Sequence, residues 1–351
     1  MTPIRLLHLA NESSPDPIRQ EVQVRAAFEQ YRKEGLIAET RTIPFPLEVE
    51  RHGSSRVLSD ILEAVDVFRP DLVFWQNVDL FPVTRDYLRQ LKGRPSHPLL
   101  VYYDGDPYGR LQCRMQRPVR AMMAEADVVC LVGRGDFSSL ARHFGARDIQ
   151  YAPSCFDIAR FGADWTPTLE RPDSISMIGS LWKSRIPFLL IPGARQRKRL
   201  AELLAARYGP RFALYGAGWD RNPSSRGSLP YIQQQNAIRR SWVNVSWNHF
   251  TNAADYFSDR LPIALAAGVP HITSWHPGYD TLFAGCQGLY LAKTPEEACE
   301  LTAFLLAKPH EELLSLGQRV REWAFQHLEA TVVFRGLLDH CLRLLETRST
   351  P

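Results

Sequence analysis

The sequence lacks the features that would assign its class at once. Its six cysteines never form a Cys-x-x-Cys pair, and several stand in apolar runs, as Cys130 does. This usage predicts free thiols in the core of a protein from a reducing compartment. No stretch approaches the roughly 20 apolar residues that a membrane-spanning helix needs, and the first ten residues contain too short an apolar run for a secretion signal. We therefore expect a cytoplasmic protein.

The sequence also has no large excess of basic over acidic residues. The chain has 42 basic and 38 acidic residues and a net charge of +4. This small excess is spread thinly, which argues against a dedicated nucleic-acid-binding protein. The basic run at 195–199 opens a predicted helix; such runs are usually solvated, and a peripheral contact with anionic lipid is the alternative. No pair of histidines has the spacing of a zinc site, so we expect no bound metal.

The sequence does have the composition and periodicity of a globular α/β protein. Hydrophobic residues make up 45% of the 351 residues, which excludes a disordered chain, and the length predicts about two domains. Short apolar runs alternate with stretches of helical period, a pattern typical of a parallel sheet covered by helices on both faces. In the first half, strands are predicted at 4–10, 71–75, 99–103 and 127–132, and helices at 17–34, 57–68 and 138–144.

The alternation restarts after a polar stretch that contains two prolines. The second series has predicted strands at 174–178, 211–215, 243–247 and 269–273, and predicted helices at 197–207, 261–267 and 295–306. Two such series predict two Rossmann-like domains. We place an N-terminal domain at 1–163, a linker at 164–173, a second domain at 174–320 and C-terminal helices at 321–351. Because ligands bind at the carboxyl ends of the strands in such sheets, the residues that follow strands are the candidates for a site.

Glycines follow two strands of the second domain. Gly179 ends the first of these strands, and Lys183 and Arg185 come soon after it. Together they predict a phosphate-binding loop, with a turn carrying two solvated charges as the alternative. The next strand ends in a Gly-x-Gly formed by Gly216 and Gly218, which permits tight backbone geometry. This pattern is only a weak indication of a dinucleotide site, so a plain turn is the alternative interpretation.

A polar loop, a short Ala/Leu helix, a glycine and a strand follow one another over 255–270. The N-terminus of such a helix presents N–H groups and the positive end of a dipole, which suits an anion or sugar hydroxyls. Asp259 stands directly before the helix. It is either part of that site or only the N-cap of the helix.

The segment 255–270 resembles the signature of group 1 glycosyltransferases with the GT-B fold, particularly those of the spore-maturation-protein type. In that signature two carboxylates, separated by seven residues, precede an Ala-Ala-Gly-x-Pro turn. Alignment on the turn places the first carboxylate, which contacts the donor sugar, at Asp255. The second, which contacts the ribose, falls on Ile263, so that role is not carried over. The pair Asp259 and Arg260 resembles the arginine that precedes this helix in the subfamily.

Four further stretches resemble the same family in order and spacing. Residues 151–161 resemble its interdomain Pro-x-Gly-x-Asp-x-x-x-Phe, with Cys155 in place of the glycine. Residues 175–185 resemble the first strand and diphosphate loop of its nucleotide domain. Residues 214–219 resemble its Tyr-Gly-x-Gly-Trp, and 321–345 its C-terminal helices. The resemblance covers most of the chain from about residue 99 onward.

The resemblance implies a GT-B fold, with two Rossmann-like domains facing a central cleft and C-terminal helices that pack back on the N-terminal domain. It implies a metal-independent hexosyl- or related glycosyltransferase, retaining, that moves a sugar from a nucleotide-sugar to an acceptor hydroxyl of a glycan, lipid or small molecule. Beyond this donor substrate we expect no cofactor. The predicted donor-binding residues are Gly179, Ser180, Lys183, Arg185, Tyr215, Gly216, Gly218, His249, Asp255, Ser258, Asp259 and Arg260. The alternative is a non-catalytic sugar- or partner-binding protein whose donor site has degenerated, since Ile263 replaces an acid.

Two carboxylates follow the predicted strand at 99–103. Asp104 and Asp106 are the predicted catalytic residues, as a base for the acceptor or as stabilisers of an oxocarbenium-like centre, with Asp104 favoured because it comes first. A turn aspartate that bonds its own backbone is the alternative. Their Asp-x-Asp pattern does not predict a metal, because metal-dependent glycosyltransferases use it in another fold. His8 is read as a core histidine rather than a ligand contact, and His249 either lines the donor pocket or lies in a loop.

Overall fold

The computed structural model describes residues 3–13, 22–108, 114–163, 166–181, 192–250 and 253–349. The chain divides into two compact units, the first made of Met1–Pro153 together with Ala330–Pro351 and the second of Ser154–Glu329. The strands are β1 (Ile4–Ala10), β2 (Ile37–Pro44), β3 (Leu72–Gln76), β4 (Leu99–Asp104), β5 (Val128–Leu131), β6 (Ile149–Tyr151), β7 (Asp173–Ile178), β8 (Phe212–Tyr215), β9 (Ser241–Val245), β10 (His271–Ser274) and β11 (Leu289–Ala292).

Helices connect almost all of these strands. They are α1 (Gln23–Lys33), α2 (Phe45–His52), α3 (Ser54–Phe68), α4 (Arg85–Lys92), α5 (Arg117–Glu125), α6 (Asp136–His143), α7 (Ile158–Phe161), α8 (Pro192–Tyr208), α9 (Gln234–Arg239), α10 (Arg260–Ala266), α11 (Tyr279–Leu282), α12 (Pro295–Leu306), α13 (His310–His327) and α14 (Ala330–Ser349). Short 3-10 turns lie at Gly209–Arg211 and Tyr231–Gln233.

The sheet of the first unit is parallel and has the order β2-β1-β3-β4-β5-β6. All residues of β3, β4 and β5 are buried, as expected for strands covered on both faces. The last helix of the chain, α14, belongs to this unit. It packs against α1, at whose C-terminal end Arg335 forms an ion pair of 2.9 Å with Glu34. His340 of the same helix lies 2.6 Å from Asp148, which directly precedes β6.

The sheet of the second unit is also parallel, with the order β8-β7-β9-β10-β11. Its first two strands along the chain lie on one side of β9 and its last two on the other. The strand order therefore reverses between β7 and β9, and the carboxyl ends of these two strands border the crevice where such sheets bind ligands. A core cluster that includes Leu204, Trp219 and Val243 packs beneath this edge.

The two parallel α/β sheets confirm the predicted fold class. The predictions missed β2 and β11, which lie at the edges of the sheets. In β2 only one residue is buried and polar residues interrupt the apolar ones, whereas β11 is a run of four apolar residues that the predictions overlooked. They also missed β6 and the short helices α2, α4, α5 and α9. Helix α1 begins at Gln23, and residues 17–21 of the predicted helix lie outside the described residues.

In the described part of the chain, none of the helices is long and apolar enough to cross a bilayer. The cysteines of the same residues are buried and outside any disulfide, as predicted for core thiols: Cys130, Cys155, Cys286, Cys299 and Cys341.

Candidate functional site

The candidate site lies in the second unit, at the carboxyl ends of β7 and β9. Gly179 and Ser180 follow β7, and Trp247 and His249 follow β9. Helix α8 packs beside these ends and supplies one side chain that joins them. Nε of Arg197 donates a hydrogen bond of 2.6 Å to the carbonyl of Trp247, and Nη1 donates one of 2.7 Å to the carbonyl of Ser180. The guanidinium therefore holds both strand ends at the point where the strand order reverses.

The run 195–199 is exposed at Arg195, Lys198 and Arg199, as expected for a solvated face, but not at Arg197. The residue is only 5% exposed. It stands three and four residues before Leu200 and Ala201, which are core residues of α8, and so shares their face of the helix. This spacing was visible in the sequence and could have identified Arg197. Its neighbour Arg199 is exposed and pairs with Glu296 at 3.0 Å.

The site is electrostatically positive. Among the described residues, no carboxylate lies within ion-pair distance of Arg197 or Arg260. Burial, and then the charge of Arg260, lower the pKa of Arg197 to about 9, which leaves it protonated at neutral pH. Burial, followed by the charges of Arg197 and Arg260, lowers the pKa of His249 to about 3. The two guanidinium groups and the neutral imidazole thus lie close together, and a bound anion would stabilise this concentration of positive charge.

The glycines that follow β7 and β8 bring the two loops into backbone contact. Gly216 has φ +133°, and a β-carbon there would lie 2.6 Å from the carbonyl carbon of Gly179. The Gly179 N–H donates to the carbonyl of Tyr215 at 2.9 Å, and the Leu181 N–H donates to the carbonyl of Ala217 at 2.8 Å. The space beside these glycines is therefore occupied by the backbone of the neighbouring loop.

Other predicted donor-binding residues adjoin the same two loops. The Ser180 hydroxyl accepts a hydrogen bond of 3.3 Å from the Ala217 N–H. Gly218 has φ +87°, and a β-carbon there would meet the Leu181 carbonyl. The structure thus brings together Gly179, Ser180, Tyr215, Gly216 and Gly218. Lys183 and Arg185 lie outside the described residues.

Asp255 is placed by the loop that follows β10. Its N–H donates to the carbonyl of Pro277 at 2.9 Å, and the residue is 8% exposed. Asn248, just after β9, binds the same region, because its Nδ2 lies 3.2 Å from both His276 Nε2 and the Tyr279 hydroxyl. These contacts anchor the residues that follow β9 and β10 to each other and hold the backbone of Asp255 against Pro277.

The start of α10 differs from the predicted helix-terminal site. The N–H groups of Leu261 and Ile263 donate to the carbonyls of Ser258 and Asp259, so they are already used within the turn. Asp259 has helical dihedral angles and its side chain makes no capping hydrogen bond, which leaves the N-cap interpretation without support. Arg260 Nη1 lies 3.5 Å from the Ser258 hydroxyl.

Ile263 is a core residue of the second unit. Its side chain is fully buried in a cluster with Phe257 and Phe161. The position at which the glycosyltransferase signature has its second carboxylate therefore serves packing in this protein.

In the first unit, Asp104 has the contacts of the turn alternative. It is fully buried and accepts hydrogen bonds from the Tyr102 hydroxyl at 2.7 Å and from the Asp106 N–H at 3.0 Å. Burial, together with the charges of Asp106 and Asp79, raises the pKa of Asp104 to about 7. Asp106 is exposed.

His8 has the surroundings of a core histidine. Its side chain is 1% exposed, lies 2.7 Å from Gln76 Oε1, and packs edge-on against Phe28 and Phe74. Burial lowers its pKa to about 4. In the part of the chain that the structure describes, no three His, Cys, Asp or Glu side chains are grouped as a metal ion would require.

Comparison with known proteins adds a family likeness for the second unit and a fold for the whole chain. A family model described as glycosyl transferase-like matches residues 195–334, a range that contains Arg197, His249, Asp255 and Arg260. No curated protein matches the chain. The spore-maturation subfamily is not distinguished by this match.

Solved structures of glycosyltransferases are similar over nearly their whole length. Anabaena HepE in complex with UDP is 13% identical, with a TM-score of 0.57 over 96% of this chain and 99% of that one. Sucrose-phosphate synthase from Thermosynechococcus elongatus is 14% identical, with a TM-score of 0.63 over 98% and 100%. OtsA is 10% identical, with a TM-score of 0.61 over 96% and 99%. The chain has the GT-B fold.

Proposed function

We propose that the protein is a glycosyltransferase that moves a sugar from a nucleotide-sugar donor to an acceptor hydroxyl. The observation that carries the proposal is the positive site at the ends of β7 and β9, where Arg197, Arg260 and His249 lie close together and neither arginine forms an ion pair with a described residue. A nucleoside diphosphate is an anion suited to such a site. The glycosyl transferase-like match over 195–334 and the similarity to HepE, whose structures contain UDP and UDP-glucose, support the same substrate class.

The residues of the site would act mainly by electrostatic stabilisation. As the bond from sugar to diphosphate breaks, negative charge accumulates on the departing nucleoside diphosphate, and positioned cations lower the barrier to this step. Arg260 is partly exposed, and the hydrogen bond recorded for its side chain among the described residues is a long one of 3.5 Å to Ser258, so its guanidinium is the group that would bind the diphosphate directly. Arg197 would position the loops, because two of its N–H groups already bind carbonyls. Asp255 would contact the donor sugar, as the family resemblance implies.

The remaining details of the reaction are proposals of the same kind. Two guanidinium groups would supply the charge that other transferases take from a metal, so we propose a metal-independent reaction; retention of configuration rests on the family resemblance. Of the predicted acceptor-side carboxylates, exposed Asp106 is the one that a hydroxyl reaches without rearrangement of the fold. The acceptor would be a glycan, a lipid or a small molecule. Free, buried cysteines support a cytoplasmic location.

Calorimetric titration with UDP, GDP and UDP-glucose tests the proposal. We expect one of these ligands to bind and Arg260→Ala to weaken binding by about 1.5–3 kcal/mol, the usual value of a hydrogen bond to a charged group. Replacing Lys183 and Arg185 together with alanine should cost a similar amount for each bond lost. Arg199→Ala is the matched control, since Arg199 pairs with Glu296 on the surface. A folded wild-type protein that binds none of these nucleotides would refute the proposed donor class.

A non-catalytic binding protein is the second candidate. The burial of Ile263 in the core favours it, because the ribose then lacks the carboxylate that the family supplies. Incubation with a bound UDP-sugar and a panel of acceptors separates the two candidates. Release of UDP above the rate of the Arg260→Ala variant supports an enzyme, whereas tight binding without any UDP release supports the second candidate.

A further inference from the structure

The surface formed by residues 114–116, α5 and the second half of α6 is rich in arginine. Between Asp106 and Glu125 the sequence contains four arginines and no acidic residue. Three of these arginines are in the described part of the chain, and all three are exposed: Arg114, Arg117 and Arg120. We call the surface that they form, together with His143 and Phe144, the α5–α6 basic face.

Two adjoining grooves cross this face. The first, of about 440 Å³, has Arg114, Arg120 and His143 at its rim and the apolar side chains of Met115 and Leu140 in its lining. The second, of about 350 Å³, shares Arg120 with the first and adds Arg117. Among the described residues that line them, neither groove has an acid. The face thus combines cationic rims with an apolar floor.

The acids at and just after the end of α5 are paired with cations other than the three arginines. Glu125, the last residue of α5, accepts hydrogen bonds from Arg85, which also lines the second groove, at 2.7 Å and from Arg89 at 2.9 Å. Asp127 pairs with Lys92 at 2.7 Å and with Arg348 at 3.0 Å. The described structure records no ion pair for Arg114, Arg117 or Arg120.

The run at 195–199, which the sequence suggests as a lipid contact, is a poorer candidate. Arg197 is buried, Arg199 pairs with Glu296, and Lys198 lies 3.6 Å from Glu202. Of the three exposed basic residues in that run, two are therefore paired with acids. The α5–α6 basic face has three exposed arginines for which the described structure records no ion pair.

We propose that the α5–α6 basic face docks on a membrane surface that contains anionic phospholipid. Arginines bind phosphate oxygens, and each basic residue near an anionic bilayer contributes about 1 kcal/mol to binding. The apolar floor suits the glycerol and upper acyl region of a lipid. A nucleic acid fits less well, because the Phe144 ring, which could stack on a base, is covered by the guanidinium of Arg120 at 4.7 Å. The proposal does not depend on the proposed transferase activity.

Sedimentation with lipid vesicles tests this proposal without any sugar transfer. The full chain is mixed with vesicles of phosphatidylcholine alone or of phosphatidylcholine with phosphatidylglycerol, at roughly 0.1 M salt and again at several times that concentration. We expect binding only to the anionic vesicles, and weaker binding at the higher salt concentration. The double variant Arg114→Gln/Arg117→Gln should bind about 25-fold more weakly, which is about five-fold for each arginine lost. It leaves the stacked Arg120 in place and so preserves the fold.

The double variant Lys198→Gln/Arg199→Gln is the matched control. It removes the same charge from acid-paired residues and should bind the vesicles as the wild type does. Failure of the folded wild type to bind anionic vesicles would overturn the proposal, as would an equal loss in both double variants. Binding of a DNA or RNA oligonucleotide that depends on Arg114 and Arg117, with no vesicle binding, would assign the face to a nucleic acid instead.

Discussion

Gly278 lies directly against the carboxylate of Asp255. A β-carbon on residue 278 would overlap Asp255 Oδ1, and Gly278 itself has φ +91°, a conformation that favours glycine. Asp255 also has a positive φ, +57°. The proposed donor-sugar carboxylate is therefore placed by a tight fit between two loop residues that other side chains would not permit.

We predict that Gly278→Ala displaces Asp255 and weakens donor binding. The variant should lose about 1–3 kcal/mol of stability from overpacking, in addition to the strain of its positive φ. Gly285→Ala is the control, because Gly285 has φ +78° but open space around its missing side chain. The two variants are compared by urea unfolding and by titration with the donor. Equal stabilities and equal affinities would contradict the role of this contact.

Arg197→Lys should damage the site although it keeps the charge. Lysine presents its donors at one point and cannot span the carbonyls of Ser180 and Trp247 as the guanidinium does. We expect a loss of about 1.5–3 kcal/mol in the free energy of unfolding and weaker nucleotide binding. Arg199→Lys on the same helix should change stability by less than about 0.5 kcal/mol. If both variants match the wild type, Arg197 does not position the loops.

Asp259→Ala should impair donor binding more than a change at Ile263 does, because Asp259 is the acid in sequence nearest to the missing ribose carboxylate. The core position of Ile263 makes Ile263→Ala a cavity mutation that costs about 2–5 kcal/mol, so Ile263→Val is the better comparison. Stability and the donor dissociation constant are measured for both variants. Unchanged donor affinity in a folded Asp259→Ala variant would contradict a role of Asp259 in binding the ribose.

The elevated pKa of Asp104 predicts a pH dependence of stability. Because its folded-state value of about 7 lies above the ordinary 3.8, the folded protein holds the proton more tightly than the unfolded chain does. Its contribution to stability is therefore present below about pH 4 and is lost as pH rises to about 7, by about 4 kcal/mol in all. Asp104→Asn should remove this loss, so the stability difference between variant and wild type should grow in the variant's favour from pH 5 to pH 7.5. Urea unfolding at the two pH values measures it; a constant difference would mean that Asp104 is ionised throughout.

Local sequence patterns determined the secondary structure that frames the site. Continuous apolar runs predicted buried strands such as β4, because a strand that is buried on both faces has apolar residues throughout. The Ala/Leu stretch before Gly268 predicted α10 in the same way, from the composition of a few neighbouring residues. The same patterns predicted a parallel α/β fold. They missed the edge strand β2, in which only one residue is buried and polar residues interrupt the apolar ones.

Only the tertiary structure decided what the polar residues of the site do. Arg197 and Arg199 stand two residues apart in one basic run, yet one is buried against a carbonyl 50 residues away and the other lies on the surface. Asp104 and Asp106 differ in the same way. The sequence by itself identified these residue types and their place after strands. Their burial, charge and partners depend on contacts between distant segments, which local propensity does not encode.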